Sequence, residues 1–196
     1  MSLSAGSPNV RIEPWSAADE ELLARLNTPE MMVHLGGPET DEKLRRRHAR
    51  YLDGWRTGAA HVFRVVVVDA TAGRPPRSAG AVSCWPTTWH DDPVFEAGWS
   101  ILPEFQGLGV ATSATVAAIR ETARLRACTG DGRRRHLHAF PKLENIASNG
   151  VCRKAGLTWG GECELEYPPG NLIRCNDWSV DLDTVALEVG SVPDLS

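Results

Sequence analysis

A loop with two glycines in the middle of the chain restricts the possible folds more than any other segment. An apolar run at residues 99–103 precedes it, and an alanine-rich segment with helical periodicity, residues 107–126, continues from it. Where a strand runs through glycines into a helix, the unpaired N–H groups of the first turn face outward with the helix dipole behind them, and a ligand can approach closely. The pattern therefore predicts a phosphate cradle formed by Gln106, Gly107, Leu108, Gly109, Val110, Ala111 and Thr112.

The same loop argues against two common nucleotide-binding motifs. A Walker A loop ends in Lys followed by Ser or Thr, whereas Ala111 and Thr112 occupy that end here. A dinucleotide fingerprint needs a third glycine where Thr112 stands, and it is expected at the start of a βαβ unit. A nucleoside triphosphatase and a dinucleotide-binding domain are therefore disfavoured. A glycine turn that only joins strand to helix stays open as the alternative.

The length and the cysteines predict one domain in a reducing compartment. A chain of 196 residues matches a single domain, with a core at residues 10–182 and a C-terminal tail at 183–196. Its five cysteines are scattered and form no C-x-x-C pair, so neither a disulfide framework nor a metal site is predicted. Residues 1–10 lack the features of a signal peptide, and no apolar run reaches the ~18 residues of a membrane span. We therefore expect a cytoplasmic protein without a membrane partner.

The charge balance argues against nucleic acid as the main partner. The formal net charge is −4, whereas nucleic-acid binders gain most of their affinity from positive surface. Two short arginine runs, at residues 45–47 and 133–135, are interpreted as solvent-facing parts of a helix and a loop. An RNA-associated protein that uses these runs is kept as an alternative, and its binding would fall steeply with salt.

Hydrophobic periodicity predicts a layered α/β fold with a sheet of mixed direction. Strands are predicted at residues 10–14, 61–69, 79–89, 94–102, 135–140, 157–167 and 172–182. Helices are predicted at residues 17–26, 40–55, 107–126 and 145–155, with a loose tail from Val185 onward. The β-branched run in the second strand indicates a strand that is covered on both faces.

Three motifs, in this order and spacing, resemble the Gcn5-related N-acetyltransferase (GNAT) superfamily. Glu96, Ala97, Gly98 and Trp99 resemble the Glu-x-Gly-aromatic stretch of the Rim-type ribosomal-protein N-terminal acetyltransferases within it. The glycine loop is similar to the acetyl-CoA loop of the superfamily. The segment at 145–157, with Ser148, Lys154 and Gly156 in register, is similar to its second CoA-contacting helix.

The resemblance implies both a fold and a cosubstrate. It implies a mostly antiparallel sheet of about seven strands with helices on both faces, in which the fourth and fifth strands splay apart. Acetyl-CoA would place its pantetheine arm between these strands, bonded to the backbone of Ile101 and Leu102, and its pyrophosphate on the glycine loop. Asn145 and Ser148 would lie along the pantetheine. Monomer and homodimer both stay open.

The resemblance also names Glu96 as the general base that removes a proton from an amine. A carboxylate becomes a useful base near neutral pH when burial raises its pKa, which the neighbouring Phe95 and Trp99 would favour. The alternative is an ordinary polar residue on a strand. A backbone N–H of Ile101 or Leu102 would polarise the thioester carbonyl.

Cys152 stands where many members of the superfamily carry a tyrosine that protonates the leaving thiolate. A thiol with an ordinary pKa near ~8.5 can donate a proton. The alternative is that Cys152 is a small packing residue and that water protonates the thiolate.

The acceptor is predicted only as a primary amine, either a protein N-terminus or a small amine. Asp91 and Asp92 lie in the loop before the predicted base, and Glu162, Glu164 and Glu166 alternate on one strand, where they would attract a cation. The alternative for the glutamates is a solvated strand face. A catalytically silent acyl-CoA sensor is the main alternative to an enzyme.

Overall fold

A computed structural model describes residues 9–68, 75–167 and 170–189. Within these ranges seven strands form one sheet in the order β1-β2-β3-β4-β5-β7-β6, and β4 with β5 is its one parallel pair. The mixed, mostly antiparallel sheet implied by the resemblance is therefore confirmed. The strands are β1 (Asn9–Pro14), β2 (His61–Val68), β3 (Arg77–Trp89), β4 (Asp92–Ile101), β5 (His136–Ala139), β6 (Thr158–Glu166) and β7 (Leu172–Asp181).

Five helices accompany the sheet in the described part of the chain: α1 (Glu20–Arg25), α2 (Asp41–Thr57), α3 (Val110–Thr129), α4 (Ile146–Lys154) and α5 (Leu182–Val189). The predicted loose tail from Val185 is wrong as far as Val189. Leu182 is wholly buried, and an ion pair of 2.7 Å joins Asp183 to Arg126 of α3, so the segment is held against the domain as a helix. Asp69 and residues 190–196 lie outside the described residues.

Helices lie on both faces of the sheet. Cys84 pairs with His61 across β2 and β3, and its buried thiol hydrogen-bonds to Thr122 of α3. Side chains alternate along a strand, so Arg64 lies on the opposite face, where it pairs with Asp19 at the start of α1 at 3.2 Å. We call the face that carries Arg64 the front face and the face that carries Cys84 the back face.

The second strand is buried on both faces, as its sequence predicted. Val62 and Phe63 are neighbours and therefore face opposite sides, yet each is only 2% exposed. Trp55 at the end of α2 packs edge-on against Phe63 and donates a hydrogen bond to the Val62 carbonyl. This packing connects the helical layer to the middle of the sheet.

The fourth and fifth strands diverge after a short pairing. Phe95 pairs with Leu137 and Glu96 with His138, but β4 continues to Ile101 while β5 ends at Ala139. Pro141, two residues beyond the end of β5, lacks the N–H that would extend the ladder. Among the described residues, those at 97–101 therefore have no strand partner on this side, and the splay implied by the resemblance is confirmed.

Candidate active site

The glycine loop presents a row of free backbone donors at the end of β4. Gly107 and Gly109 have φ of 71° and 81°, a left-handed conformation that glycine adopts without steric cost. Gly109 is the N-cap of α3, and its carbonyl accepts the first helical hydrogen bond, from Ser113 at 3.0 Å. The N–H groups from Gly107 to Thr112 have no acceptor within the described part of the chain. This arrangement can bind an anion.

Gln106 connects this loop to the chain that precedes it. Its side-chain amide donates to the Ile101 carbonyl at 2.8 Å, which connects the loop back to the last residue of β4. Its own N–H donates to the Pro103 carbonyl at 3.1 Å. Leu108, by contrast, is 57% exposed at the tip of the loop. Gln106 thus shapes the cradle, while the glycines and the first helical turn line it.

The backbone of β4 faces the gap at alternate residues. The Leu102 N–H donates to the Ala79 carbonyl at 2.8 Å, and the Leu102 carbonyl accepts from Phe105 at 2.9 Å. Because backbone groups alternate between the two sides of a strand, Trp99 and Ile101 direct theirs toward the gap. The Ile101 N–H is therefore able to donate into the gap, whereas the Leu102 N–H is already bonded to the Ala79 carbonyl. Sequence analysis did not identify Trp99 as a residue whose backbone faces the gap, because that orientation follows from the strand register.

Glu96 lies on the front face at the point where β4 and β5 separate. Trp85 flanks it from β3 and His138 from β5, each as a direct pairing partner. Burial raises the pKa of Glu96 to about 7, although a hydrogen bond with Trp85 and the positive charge on protonated His138 oppose the rise. A carboxylate with this pKa can accept a proton near neutral pH.

Two neighbours, Asp177 and Phe140, hold His138 in one orientation, and Trp89 in turn holds Asp177. Its Nδ1 lies 2.7 Å from Oδ1 of Asp177, and the other oxygen of Asp177 accepts from Trp89 Nε1 at 3.0 Å. The ring of Phe140 stacks on the imidazole, with centroids 5.7 Å apart and planes 18° apart. Sequence analysis missed this group because Asp177 comes 39 residues after His138, and only the pairing of β5 with β7 brings them together.

A cavity of about 490 Å³ opens on the front face beside His138. Its lining includes Asp92, His136 and Asp177, and also Arg133, whose guanidinium has no partner among the described residues. The Trp89–His90 end of the β3–β4 hairpin closes one side, with the two rings 4.2 Å apart.

The turn of this hairpin is strained. His90 and Asp91 have φ of 49° and 65°, in the left-handed region that favours glycine. Such strain persists where surrounding structure imposes it and is common at ligand sites. Here the strained turn places the His90 ring over Trp89 at the rim of the cavity.

The start of α4 uses its polar side chains within the protein. Asn145 caps the helix by accepting from the Ser148 N–H at 3.0 Å. Asn149, only 7% exposed, donates to the Lys142 and Asn145 carbonyls and accepts from Asn176 and Trp178 of β7. Asn149 was missed by sequence analysis because an asparagine inside a helix carries no pattern that reveals its partners. It fixes α4 to the back face of the sheet.

Cys152 lies in the hydrophobic core and is wholly buried. Burial raises the pKa of its thiol to about 12, so the thiol releases its proton less readily than an ordinary cysteine. The structure therefore favours the packing interpretation over a role as proton donor.

The three alternating glutamates do not lie beside Glu96. Glu162 pairs with Asn176, which neighbours Asp177 and so projects from the back face. All three side chains are exposed on the edge strand β6, and Glu162 forms a salt bridge of 2.5 Å with Arg174. This placement favours a solvated strand face and not an acceptor site.

Carboxylates neutralise most of the two arginine runs, which weakens the RNA-binding alternative. In the first run Arg46 and Arg47 pair with Glu42 and Glu39, at 2.5 and 2.6 Å. In the second run the ion pairs join Arg134 to Asp131 and Arg135 to Asp181.

The sequence matches the family model of the acetyltransferase (GNAT) domain over residues 9–158. The chain therefore belongs to the GNAT family, and the family inferred from its three motifs is confirmed. No curated protein matches the chain. None of the helices in the described ranges is long and apolar enough to cross a membrane.

Solved GNAT structures share the fold at low sequence identity. RimL, a ribosomal L7/L12 alpha-N-protein acetyltransferase in complex with coenzyme A, superposes with a TM-score of 0.68 at 17% identity, covering 89% of this chain and 94% of RimL. The enzyme from Salmonella typhimurium that modifies the N-terminal serine of L7/L12 gives 0.64 at 16% identity, with coverages of 88% and 94%. Spermidine N-acetyltransferase from Vibrio cholerae, in complex with CoA and spermine, gives 0.65 at 14% identity, with coverages of 90% and 97%. At these identities the likeness establishes the fold alone.

Proposed function

We propose that the protein is an N-acetyltransferase that moves an acetyl group from acetyl-CoA to a primary amine by direct transfer. One juxtaposition carries this proposal: the gap between β4 and β5 opens directly beyond Glu96, and the glycine loop lies at the far end of β4. A long acyl carrier that binds an anion site at one end therefore reaches a partly buried carboxylate at the other. Membership of the GNAT family supports the same function.

In this proposal the backbone holds most of the cosubstrate. The pyrophosphate of acetyl-CoA binds the free N–H groups from Gly107 to Thr112 at the start of α3. The pantetheine arm lies in the gap, where Ile101 and Trp99 supply strand-like hydrogen bonds. The side of α4 that carries Ser148 borders the arm.

Transfer then needs one base and one donor to the thioester carbonyl. Glu96 takes a proton from the ammonium form of the acceptor, and the free amine attacks the carbonyl carbon. The N–C bond forms and the C–S bond breaks. The thiolate takes a proton from water, and the hydroxide so formed takes the second proton from the attacking nitrogen, which leaves a neutral amide. The Ile101 N–H, aimed into the gap, stabilises the negative charge that develops on the carbonyl oxygen.

The acceptor approaches Glu96 on the front face, where the cavity lies. The structure supports either a protein N-terminus or a small amine, the two acceptor types named for the structural neighbours. The acceptor does not approach along the glutamates of β6, because these project from the back face.

The proposal is tested by measuring thiol release from acetyl-CoA with a panel of amines that includes N-terminal peptides and polyamines. We expect turnover with at least one amine, and a fall of roughly 100-fold or more in Glu96→Gln. Glu104→Gln is the matched control, because Glu104 is an exposed carboxylate paired with Arg25 at 2.8 Å. Tight binding of acetyl-CoA without turnover of any amine would contradict an enzyme and favour the acyl-CoA sensor.

A further inference from the structure

His138 lies between the proposed base and the cavity. It is the direct partner of Glu96 across β4 and β5, so both side chains project from the front face of neighbouring strands, which lie about 5 Å apart in a sheet. The His138 side chain is 11% exposed, and it lines the cavity that opens beside it. It is therefore within reach of Glu96 on one side and of the cavity on the other.

The contacts of His138 leave one ring nitrogen available. Nδ1 is occupied by Asp177 at 2.7 Å, and Trp89 fixes that carboxylate through its second oxygen. A carboxylate at Nδ1 orients the ring and stabilises the imidazolium that forms when Nε2 takes a proton. Phe140 stacks on the ring and prevents it from turning away.

Among the described side chains that face Glu96, His138 is the one suited to take the proton that Glu96 gains in each turnover. Trp85 faces it from β3, but an indole N–H only donates. Cys175 faces it from β7, but burial raises the pKa of that wholly buried thiol to about 11. Apart from Glu96, two titratable groups face His138. Asp177 lies on β7, and His136 lies on β5 with its ring centroid 6.3 Å from that of His138.

We propose that His138, positioned by Asp177, takes the proton from Glu96 and releases it into the cavity, which resets the base. This proposal rests on the proposed acetyltransferase function. The O–H bond of the Glu96 carboxylic acid breaks as an N–H bond forms at Nε2 of His138, and that proton then passes to water in the cavity. No electrons are exchanged. His138 acts through Glu96 and does not touch the transferred acetyl group.

The test compares His138→Gln and Asp177→Asn with wild type over a range of pH, using the amine that the wild type acetylates. His61→Gln is the control, because His61 is a half-buried imidazole that packs on Trp55 on the back face, 4.8 Å between centroids. We expect kcat to fall roughly 10- to 100-fold in His138→Gln and less in Asp177→Asn, with an unchanged KM for acetyl-CoA. Added imidazole should restore activity to His138→Ala. A kcat within about twofold of wild type, or a loss that imidazole does not restore, would overturn the relay.

A second measurement separates the relay from the proposed function. In protein with isotope-labelled histidines, NMR follows the titration of each imidazole, and the midpoint of His138 should move in Glu96→Gln while that of His61 stays in place. An unmoved His138 midpoint overturns the relay, whether or not any amine is acetylated. If the His138 midpoint moves in Glu96→Gln but the wild type acetylates no amine, the proposed function is overturned, and the relay with it.

Discussion

Glu96 carries a cost in stability that its substitution should remove. Burial raises its pKa from the ordinary 4.5 to about 7, so the charged form is disfavoured in the folded protein. The stability that the protonated group contributes is complete below pH ~4.5 and is lost as pH rises toward ~7, a change of about 3 kcal/mol. We expect Glu96→Gln to unfold at higher denaturant concentration than wild type at pH 8 and close to wild type at pH 4.5. A variant that is less stable than wild type at pH 8 would contradict this burial effect.

The same shift sets the direction of the pH dependence of catalysis. A base must be deprotonated to act, so kcat/KM should rise with pH and level off above ~7. Steady-state assays from pH 5.5 to 9 with the wild type check this. A profile that falls over the same range would show that Glu96 acts as an acid or not at all.

Cys152 should matter for packing and little for chemistry. Cys152→Ala removes one buried sulfur from the core, and we expect a loss of about 1–2 kcal/mol of stability in denaturant unfolding. The kcat of the folded fraction should stay within about twofold of wild type, since a thiol whose pKa is raised to about 12 is a poor proton donor. A tenfold or greater fall in kcat at unchanged KM would restore the role as proton donor.

At the scale of elements, α3 offers two glycines of the same conformation at its opposite ends. Gly109 caps the N-terminus with φ of 81°, and Gly130 caps the C-terminus with φ of 68°. Valine at either position is strained, at a cost of about 1–3 kcal/mol, but only the N-terminal cap belongs to the proposed pyrophosphate site. Calorimetry should show CoA affinity at least roughly tenfold weaker in Gly109→Val and near wild type in Gly130→Val. Undiminished affinity in a folded Gly109→Val would refute the site.

A second element, α4, ends at Lys154, one residue before its predicted end. The N–H of Gly156 donates to the Arg153 carbonyl and that of Leu157 to the Cys152 carbonyl, which is the Schellman arrangement. Gly156 has φ of 87° and supplies the left-handed residue that this motif needs. The caps thus limit α4 to nine residues, so that Asn145 begins it beside the gap while Asn149 attaches it to β7.

At the scale of the whole molecule, a bound cosubstrate would join elements that are otherwise separate in this region: β4, the glycine loop and α4. A ligand that binds only the folded state stabilises it by about 2.7 kcal/mol at a concentration of 100 Kd, which raises Tm by roughly 5–10 °C for a domain of this size. Thermal denaturation with CoA should show this rise. Pantetheine, which lacks the pyrophosphate, should give a much smaller rise at equal concentration, and an equal effect of the two ligands would contradict anion binding by the loop.

The sequence by itself determined those features that depend on neighbours along the chain. Apolar periodicity located all seven strands, and the glycines located the loop, because each depends on local propensity and backbone conformation. The family, too, was identified from three short motifs. Where local pattern was weak, as in the tail from Val185, the prediction failed, because burial of Leu182 against the domain decided the outcome.

Only the tertiary structure decided which side chains meet. His138 reaches Asp177, and the glutamates of β6 project away from Glu96, because of strand order and register, which bring together residues far apart in sequence. The shift in the pKa of Glu96 likewise arises from its burial in the folded sheet, so it does not follow from the glutamate residue alone. Register and burial are collective results of packing the whole sheet, and for that physical reason they cannot be derived from local sequence.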